Sequence, residues 1–326
     1  MYAERRGRVE PRSSRHVREE VGRMRIATVD TGDGPSVAVI QGSEMVLLDE
    51  VLPGAPRDVR TLISEWAEWE SAISAATHDE ADAAWRSHAS VRWLPPVIPG
   101  KILCVGSNYH DHVEEMTGPA GLENRPSPFP FSFLKPSTSL VGSGQRVAMP
   151  PYGYKLDWEA ELAVVIGDPS YASGPDPLRA VFGYTLLNDL SLRDFIPFPH
   201  TLGIDVVVSK GFDGAAPIGP WITLAEDVPD AQDLRVQLSI NGEMQQDGTT
   251  ASMIFGIAEL IAHYARVLSL EPGDVIATGT PAGVGAARKP PRFLVEGDEV
   301  EISIGDLGSL RTSIVAGAEK NLLALG

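Results

Sequence analysis

Residues 157–167 read Asp-Trp-Glu-Ala-Glu-Leu-Ala-Val-Val-Ile-Gly, and this stretch places two carboxylates in an otherwise apolar run. Glycine-containing turns bound the run on both sides, which favours a strand. Residues i and i+2 of a strand face the same side, so we expect Glu159 and Glu161 to point together. Two such charges repel each other unless a cation binds between them, and oxygen ligands favour Mg²⁺, Mn²⁺ or Ca²⁺. A solvated strand edge is the alternative interpretation.

Asp189 supplies a third possible oxygen ligand. Residues 181–190 read Val-Phe-Gly-Tyr-Thr-Leu-Leu-Asn-Asp-Leu, which predicts a buried strand that ends in Asn188 and Asp189. An Asn-Asp pair is also common in turns. Beside the glutamate pair, however, Asp189 completes a set of three carboxylates that leaves coordination positions open for substrate and water, as a catalytic metal requires.

The composition predicts a globular protein with a large core. The chain has 326 residues, of which 43% are hydrophobic, and this suits one large domain or a small domain beside a larger one. The formal net charge of −17 argues against nucleic acid or an anionic membrane as a partner, since both are polyanions. The single cysteine, Cys104, excludes an internal disulfide and fits a reducing compartment, and its apolar neighbours favour a buried strand position.

The first 23 residues contain seven arginines and four glutamates without an apolar stretch, so they resemble neither a secretory signal nor a transit peptide. We expect residues 1–23 to be a disordered extension and the protein to be cytoplasmic. No run approaches the roughly 18 apolar residues of a membrane span.

The rest of the chain predicts a small domain followed by a larger one. Residues 24–52 alternate short apolar runs with glycine turns, which is typical of hairpins, and residues 57–87 carry the spacing of an amphipathic helix. Prolines between residues 95 and 99 then interrupt the pattern. We therefore predict a small N-terminal α+β domain at 24–95 and a larger domain at 100–326.

Strands dominate the second part of the chain. Short β-like runs alternate with proline and glycine turns, regular βαβ alternation is absent, and the main helix is predicted at residues 254–268. The predicted fold class is therefore α+β and strand-dominated.

A histidine-rich segment follows the predicted strand at residues 102–105. Asn108 is positioned to cap a short helix there. Because residues three or four apart on a helix are neighbours, His112 would meet Glu115, and His110 would meet Glu114. A histidine oriented by a carboxylate is a common general base. An exposed helix with incidental pairs explains the same residues equally well.

With these motifs, the chain resembles the fumarylacetoacetate hydrolase family over roughly residues 100 to 320. Six ordered motifs carry the resemblance: Gly-x-Asn-Tyr-x-x-His-x-x-Glu at 106–115, Phe-Leu-Lys-Pro-Ser at 133–137, Glu-x-Glu at 159–161, Asn-Asp-x-Ser-x-Arg-Asp at 188–194, Ser-Lys-Gly-Phe-Asp at 209–213 and Gly-Thr-Pro-Ala-Gly-Val-Gly at 279–285. The resemblance implies a mixed β-roll catalytic domain, usually dimeric, that cleaves or rearranges 2-oxo acids with Mg²⁺ or Mn²⁺.

The resemblance also implies a role for each candidate residue. The implied roles are metal binding by Glu159, Glu161 and Asp189, catalysis by His112, Glu115 and Lys210, and substrate binding by Tyr109, Arg193 and Thr280. Arg193 suits a substrate carboxylate because a guanidinium binds it through two parallel hydrogen bonds, but a structural ion pair with Asp194 or another acid is an equal alternative. Lys135, before a proline, is interpreted as a residue that only shapes a loop.

The predicted reaction is cleavage of a carbon–carbon bond in an acylpyruvate-like 2,4-dioxo acid. The resemblance implies that a cation holds the substrate, that His112, held by Glu115, deprotonates the attacking water, and that Lys210 stabilises the enolate. The apolar segment at 195–208 is expected to line a pocket for the acyl tail. The alternatives are an oxaloacetate-type decarboxylase, a hydroxydienoate isomerase, and a catalytically idle metabolite-binding or scaffold homologue. We also predict a homodimer.

Overall fold

The computed structural model describes residues 23–78, 84–118, 128–151, 154–196 and 205–317. Within these ranges, strands form a 12-stranded sheet, a five-stranded sheet and a two-stranded pair. Parallel and antiparallel pairs occur together in both larger sheets. The strand-dominated α+β class is therefore confirmed, and the sheets are mixed.

The elements are numbered in chain order. The strands are β1 (Arg25–Asp30), β2 (Pro35–Gln41), β3 (Glu44–Leu47), β4 (Arg86–Ser87), β5 (Arg92–Trp93), β6 (Ile102–Gly106), β7 (Phe131–Lys135), β8 (Leu140–Gly142), β9 (Arg146–Ala148), β10 (Leu156–Asp157), β11 (Ala160–Ile166), β12 (Val181–Asn188), β13 (Ser191–Leu192), β14 (Ala216–Leu224), β15 (Arg235–Ile240), β16 (Glu243–Thr249), β17 (Val275–Ala277), β18 (Glu299–Ile304) and β19 (Ser309–Val315). The helices are α1 (Leu48–Val51), α2 (Val59–Ser64), α3 (Trp66–His78), α4 (His110–Thr117), α5 (Val206–Lys210) and α6 (Ile257–Ala265).

The central strands of the 12-stranded sheet are buried along their whole length. β11 pairs antiparallel with β12 on one side and with β17 on the other, and every residue of β11, β12 and β14 is buried. A strand that is covered on both faces needs a continuous apolar run, and residues 162–166 supply one. The alternative interpretation of this segment as a solvated strand edge is therefore wrong.

Two apolar layers cover the opposite faces of the central strands. On one face, Leu162 and Val164 pack in a cluster with Leu238 of β15 in the five-stranded sheet. On the other face, Val165 packs in a second cluster with Leu62 of α2. Because side chains alternate along a strand, neighbouring residues of β11 enter two different cores.

The N-terminal strands extend the catalytic sheet. β1 pairs with β2, β2 pairs with β3, and β1 also pairs with β14, so the predicted hairpins are present and join the sheet through β1. Strands on both sides of the predicted boundary at residues 95–100 thus belong to one continuous sheet. That the boundary separates two domains stays a prediction. Of the predicted extension at 1–23, only Arg23 lies within the described residues.

The single helix predicted over residues 57–87 is wrong in its extent. α2 ends at Ser64, α3 begins at Trp66, and Arg86–Ser87 forms strand β4. The periodicity of apolar residues continues across this break and therefore does not reveal it. The main helix predicted at 254–268 is the shorter α6, which buries Ile257, Leu260, Ile261 and Tyr264.

Two further predictions concern the environment of the chain. Cys104 is fully buried in β6, as predicted, and this burial raises the pKa of its thiol. Among the residues that the structure describes, no helix has the length and apolar character needed to cross a membrane.

Replacing Leu162 by Ala should lower the free energy of unfolding by about 2–5 kcal/mol, because a fully buried side chain leaves a cavity between the two sheets. Leu134→Ala is the matched control, since Leu134 is 56% exposed and its loss should change stability by less than about 0.5 kcal/mol. Urea denaturation measures both values. Equal effects of the two substitutions would contradict the central position of β11.

Candidate active site

Three carboxylates meet at one end of the central strands. Glu159 directly precedes β11, Glu161 is its second residue, and Asp189 directly follows β12. Because β11 and β12 are antiparallel, with Ala160 opposite Asn188, the start of one strand lies beside the end of the other. All three carboxylates are buried, and one oxygen of each lies within 4.8 Å of the others. The structure therefore brings the predicted ligand set together.

Two lysines contact these carboxylates. Lys210, the last residue of α5, donates from Nζ to Glu159 Oε2 and to Asp189 Oδ2, both at 2.6 Å. Lys135, the last residue of β7, lies with its Nζ 2.5 Å from Asp189 Oδ1. The interpretation that Lys135 only shapes a loop is therefore wrong. The sequence contains one signal for this role. Lys135 ends strand β7 and belongs to the Phe-Leu-Lys-Pro-Ser motif that carries the family resemblance.

Arg193 connects Glu159 to a fourth buried carboxylate, Asp157. The guanidinium donates from Nη2 to Glu159 Oε1 at 2.7 Å and from Nε to Asp157 Oδ2 at 2.8 Å. The structural ion pair considered as an alternative for Arg193 is thus present, with these two acids in place of Asp194. Whether Arg193 also binds substrate stays a prediction.

The two glutamates of the cluster have opposite electrostatic environments. Burial alone would raise the pKa of Glu159, but the positive charges of Lys210 and Arg193 outweigh it and lower that pKa to about 2. Glu161 has no ion pair among the described residues, and only the Gly279 N–H donates to it, at 2.9 Å. Burial and the two neighbouring carboxylates raise the pKa of Glu161 well above its usual range.

This arrangement fits a divalent cation. Lys135, Lys210 and Arg193 pair with three of the four buried carboxylates, and no cation among the described residues pairs with the fourth, Glu161. A bound divalent cation would offset the repulsion that raises the pKa of Glu161 and would leave one positive charge for an anionic substrate. Ligands that are all oxygens favour Mg²⁺, Mn²⁺ or Ca²⁺.

Helix α4 carries the predicted histidine–glutamate pair. His112 Nδ1 lies 3.6 Å from Glu115 Oε2, and His112 is only 8% exposed. The Gly283 N–H donates to both oxygens of Glu115 at 3.0 Å. Burial raises the pKa of Glu115, but His112 and the Gly283 N–H outweigh it, so the net shift is downward and favours the carboxylate.

The alternative pair on the same helix is different in character, because His110 and Glu114 are both exposed. His112 also lies close enough to the carboxylate cluster to help lower the pKa of Glu159. The structure thus places His112 and Glu115 together beside the cluster. Their catalytic role stays a prediction.

Two residues predicted to contact the substrate are buried in the fold. Tyr109 is wholly buried in the larger core, and this burial raises the pKa of its hydroxyl. The Thr280 hydroxyl accepts a hydrogen bond from Gln246 Nε2 and donates one to the Ala160 carbonyl, both at 2.9 Å. Substrate binding by Tyr109 and Thr280 stays a prediction.

Asn108 does not cap α4 as predicted. The N-cap residue is Tyr109, whose side chain makes no capping bond. Asn108 instead donates to the Thr278 carbonyl at 2.8 Å and accepts from the Phe255 N–H at 2.9 Å. These contacts hold the start of α4 next to the segment that directly follows β17. The Gly279 N–H in that segment contacts Glu161.

The predicted acyl pocket lies partly outside the described residues. Phe198, Leu202 and Ile204 belong to residues 197–204, which the structure does not describe. Of the remaining apolar residues, Phe195 packs against the larger core, and Val207 is 75% exposed.

Comparison with known proteins identifies the family. Residues 101–315 match the sequence model described as fumarylacetoacetate (FAA) hydrolase C-terminal. The chain belongs to the fumarylacetoacetate hydrolase family. The predicted resemblance is therefore confirmed, over most of the chain.

Proteins similar to this chain are named for different reactions. The Homo sapiens protein named oxaloacetate tautomerase FAHD2A, mitochondrial, is 35% identical over 290 residues, which cover 88% of this chain and 86% of that protein. Maleylpyruvate hydrolase from Sphingobium sp. SYK-6, solved with manganese(II) ion and pyruvate, is 29% identical with a TM-score of 0.71, over 90% of this chain and 100% of that one. A probable 2-hydroxyhepta-2,4-diene-1,7-dioate isomerase from Mycobacterium abscessus is 28% identical with a TM-score of 0.72, over 91% and 100%.

Glu161→Gln should stabilise the metal-free protein at neutral pH, because the amide carries no charge in a buried position where two neighbouring carboxylates disfavour a negative one. Saturating Mn²⁺ should reverse the order. The wild type should gain about 2.7 kcal/mol at a metal concentration 100 times its Kd, and the variant should gain much less. Thermal unfolding with and without Mn²⁺ measures both effects.

Glu296→Gln is the matched control, since Glu296 is exposed and should follow the wild type in both conditions. A Glu161→Gln variant that Mn²⁺ stabilises as strongly as the wild type would contradict the ligand role of Glu161.

Proposed function

We propose that this protein is a divalent-metal-dependent enzyme that moves a proton at the carbon next to the keto group of a 2-oxo acid. Its principal reaction would be keto–enol tautomerisation of an oxaloacetate-type substrate. The observation that carries the proposal is the buried cluster of Glu159, Glu161 and Asp189, with the His112–Glu115 pair beside it. Such a site can hold an anionic 2-oxo acid next to a proton carrier.

Each group in the site has a part in enolisation. A divalent cation held by Glu159, Glu161 and Asp189 would supply Lewis acidity to the site. The Lys210 ammonium, which lies between Glu159 and Asp189, adds positive charge where the enolate oxygen develops. His112 would take the proton from the carbon and return it to the enolate oxygen, which gives the enol. Glu115 Oε2 faces Nδ1 of the imidazole at 3.6 Å, so that Nε2 would serve the substrate.

The charges of the site support a 2-oxo carboxylate as the bound group. With a divalent cation present, the buried acids and bases leave one positive charge in excess, and one substrate carboxylate neutralises it. The chain is similar to an oxaloacetate tautomerase over 88% of its length, and this similarity supports tautomerisation more than the other reactions of the family.

Carbon–carbon cleavage of an acylpyruvate-like 2,4-dioxo acid is the second candidate. Two observations favour it: the likeness to maleylpyruvate hydrolase over the full length of that chain, and the apolar residues before α5. Cleavage would proceed through the same enolate, but it also needs a water molecule placed for attack on the distal carbonyl. Decarboxylation and hydroxydienoate isomerisation would use the same groups. The homodimer and the cytoplasmic location remain predictions.

Replacing His112 by Ala should lower kcat roughly 100-fold or more, as the loss of a general base commonly does, while Mn²⁺ affinity changes little. His110→Ala is the matched control, because His110 lies on the same helix but is exposed. Steady-state kinetics and metal titration separate the two effects. A silent His112→Ala, or an equal loss in His110→Ala, would contradict the assignment of the base.

A substrate panel distinguishes the two candidate reactions. With Mg²⁺ or Mn²⁺, the full chain should accelerate the loss of enol absorbance from oxaloacetate, without a matching release of pyruvate. Acylpyruvates of increasing tail length are assayed in parallel for pyruvate. Faster pyruvate release from an acylpyruvate than tautomerisation of oxaloacetate would select the second candidate, and inactivity on every compound would overturn both.

A further inference from the structure

The glycine-rich loop at residues 279–286 binds carboxylates from three different parts of the site. Its backbone N–H groups donate from Gly279 to Glu161 at 2.9 Å, from Ala282 to Asp111 at 3.2 Å, from Gly283 to Glu115 at 3.0 Å, from Gly285 to Asp157 Oδ1 at 2.7 Å and from Ala286 to Asp157 Oδ2 at 3.0 Å. The loop therefore contacts a metal-ligand candidate at one end, the histidine's partner in the middle, and Asp157 at the other end.

Among the carboxylates that contact this loop, Asp157 accepts the most hydrogen bonds. It is fully buried in β10, and four donors reach its two oxygens. Oδ1 accepts from the N–H groups of Trp158 and Gly285, and Oδ2 accepts from the Ala286 N–H and from Arg193 Nε. A buried carboxylate is tolerated where its oxygens are hydrogen-bonded and a cation is paired with it, and Asp157 meets both conditions.

Two chains of contacts lead from Asp157 to the reactive groups. The first runs through Arg193, whose other nitrogen holds Glu159 Oε1. The second runs along the loop from Gly285 to Gly283, whose N–H holds Glu115 beside His112. One side chain is thus linked to both Glu159 and the His112–Glu115 pair.

The loop packs tightly against Asp157 at Gly285. A Cβ atom at Gly285 would overlap the Arg292 carbonyl oxygen and would lie 2.7 Å from Asp157 Oδ1. The backbone can approach the carboxylate this closely only because residue 285 is glycine. The hydrogen bonds of Gly285 and Ala286 therefore define the position of the loop.

We propose that Asp157 is a positioning residue that holds Glu159 and the His112–Glu115 pair in a fixed relation to each other. The inference rests on the metal site and the base of the proposed function. Asp157 acts through Arg193 on one side and through the glycine-rich loop on the other. Residues that orient metal ligands in this way commonly change metal affinity or activity by about 10–100-fold when they are replaced.

Asp157→Asn is the test, because it keeps the size of the side chain and removes its charge. The amide has only one oxygen. Its nitrogen, which is a donor, must therefore face N–H groups that now donate to the carboxylate. In the full chain, Mn²⁺ affinity by calorimetry should fall about 10-fold or more, and the NMR signals of the His112 ring should shift. The matched control is Asp168→Asn, since Asp168 lies beyond the far end of β11 and also accepts a backbone N–H, from Ser170 at 2.9 Å.

Neither readout depends on the substrate or the reaction. A purely structural role for Asp157 would lower the melting temperature but leave the Mn²⁺ affinity and the His112 signals of the folded protein unchanged, and that result would overturn the inference alone. A wild-type protein that binds no Mn²⁺ would overturn the proposed function and this inference together.

A measurement on the wild type covers the case in which Asp157→Asn does not fold. Mn²⁺ should slow amide hydrogen exchange at Gly285 and Ala286 more than at Ser170, because fixing Glu159 also fixes Arg193 and Asp157. Equal protection of the three amides would overturn the inference.

Discussion

The burial of three carboxylates within 4.8 Å of one another is the constraint on which the rest of this structure depends. Like charges in a site of low dielectric repel strongly, and burial adds to the cost of each. Lys135 at the end of β7, Lys210 at the end of α5 and Arg193 directly after β13 offset part of this cost. No cation among the described residues pairs with Glu161, and we infer that a metal ion completes the balance.

The fold supplies the rigidity that this cluster needs. The strands that carry the acids lie in the middle of a 12-stranded sheet, covered by the five-stranded sheet on one face and by N-terminal helices on the other. A glycine-rich loop then crosses the site and gives its N–H groups to carboxylates on separate elements. The histidine pair on α4 is thereby held in the same framework as the metal ligands.

The parts of the site that depend on local spacing could be predicted from the sequence. Glu159 and Glu161 follow from the period of a strand, and His112 with Glu115 follows from the period of a helix. Contacts between distant segments could not be predicted, because no periodicity encodes them. Lys135 meets Asp189 across 54 residues, so its role in the site was missed.

The same limit applies to the fold. Strand β16 reads Glu-Met-Gln-Gln-Asp-Gly-Thr, which has no apolar alternation, and it is held by pairing with β15. Its buried Gln246 accepts from the Ala160 N–H and donates to Thr280, so its polar side chain is satisfied only by the tertiary structure. The spacing of residues along the sequence also does not identify the reaction, since tautomerisation and cleavage would use the same groups.

The most direct test of the account is anomalous diffraction from crystals of the protein grown with Mn²⁺. The account predicts one strong anomalous peak within coordination distance of an oxygen from each of Glu159, Glu161 and Asp189. An ion bound elsewhere, or no peak among the three carboxylates, would contradict it.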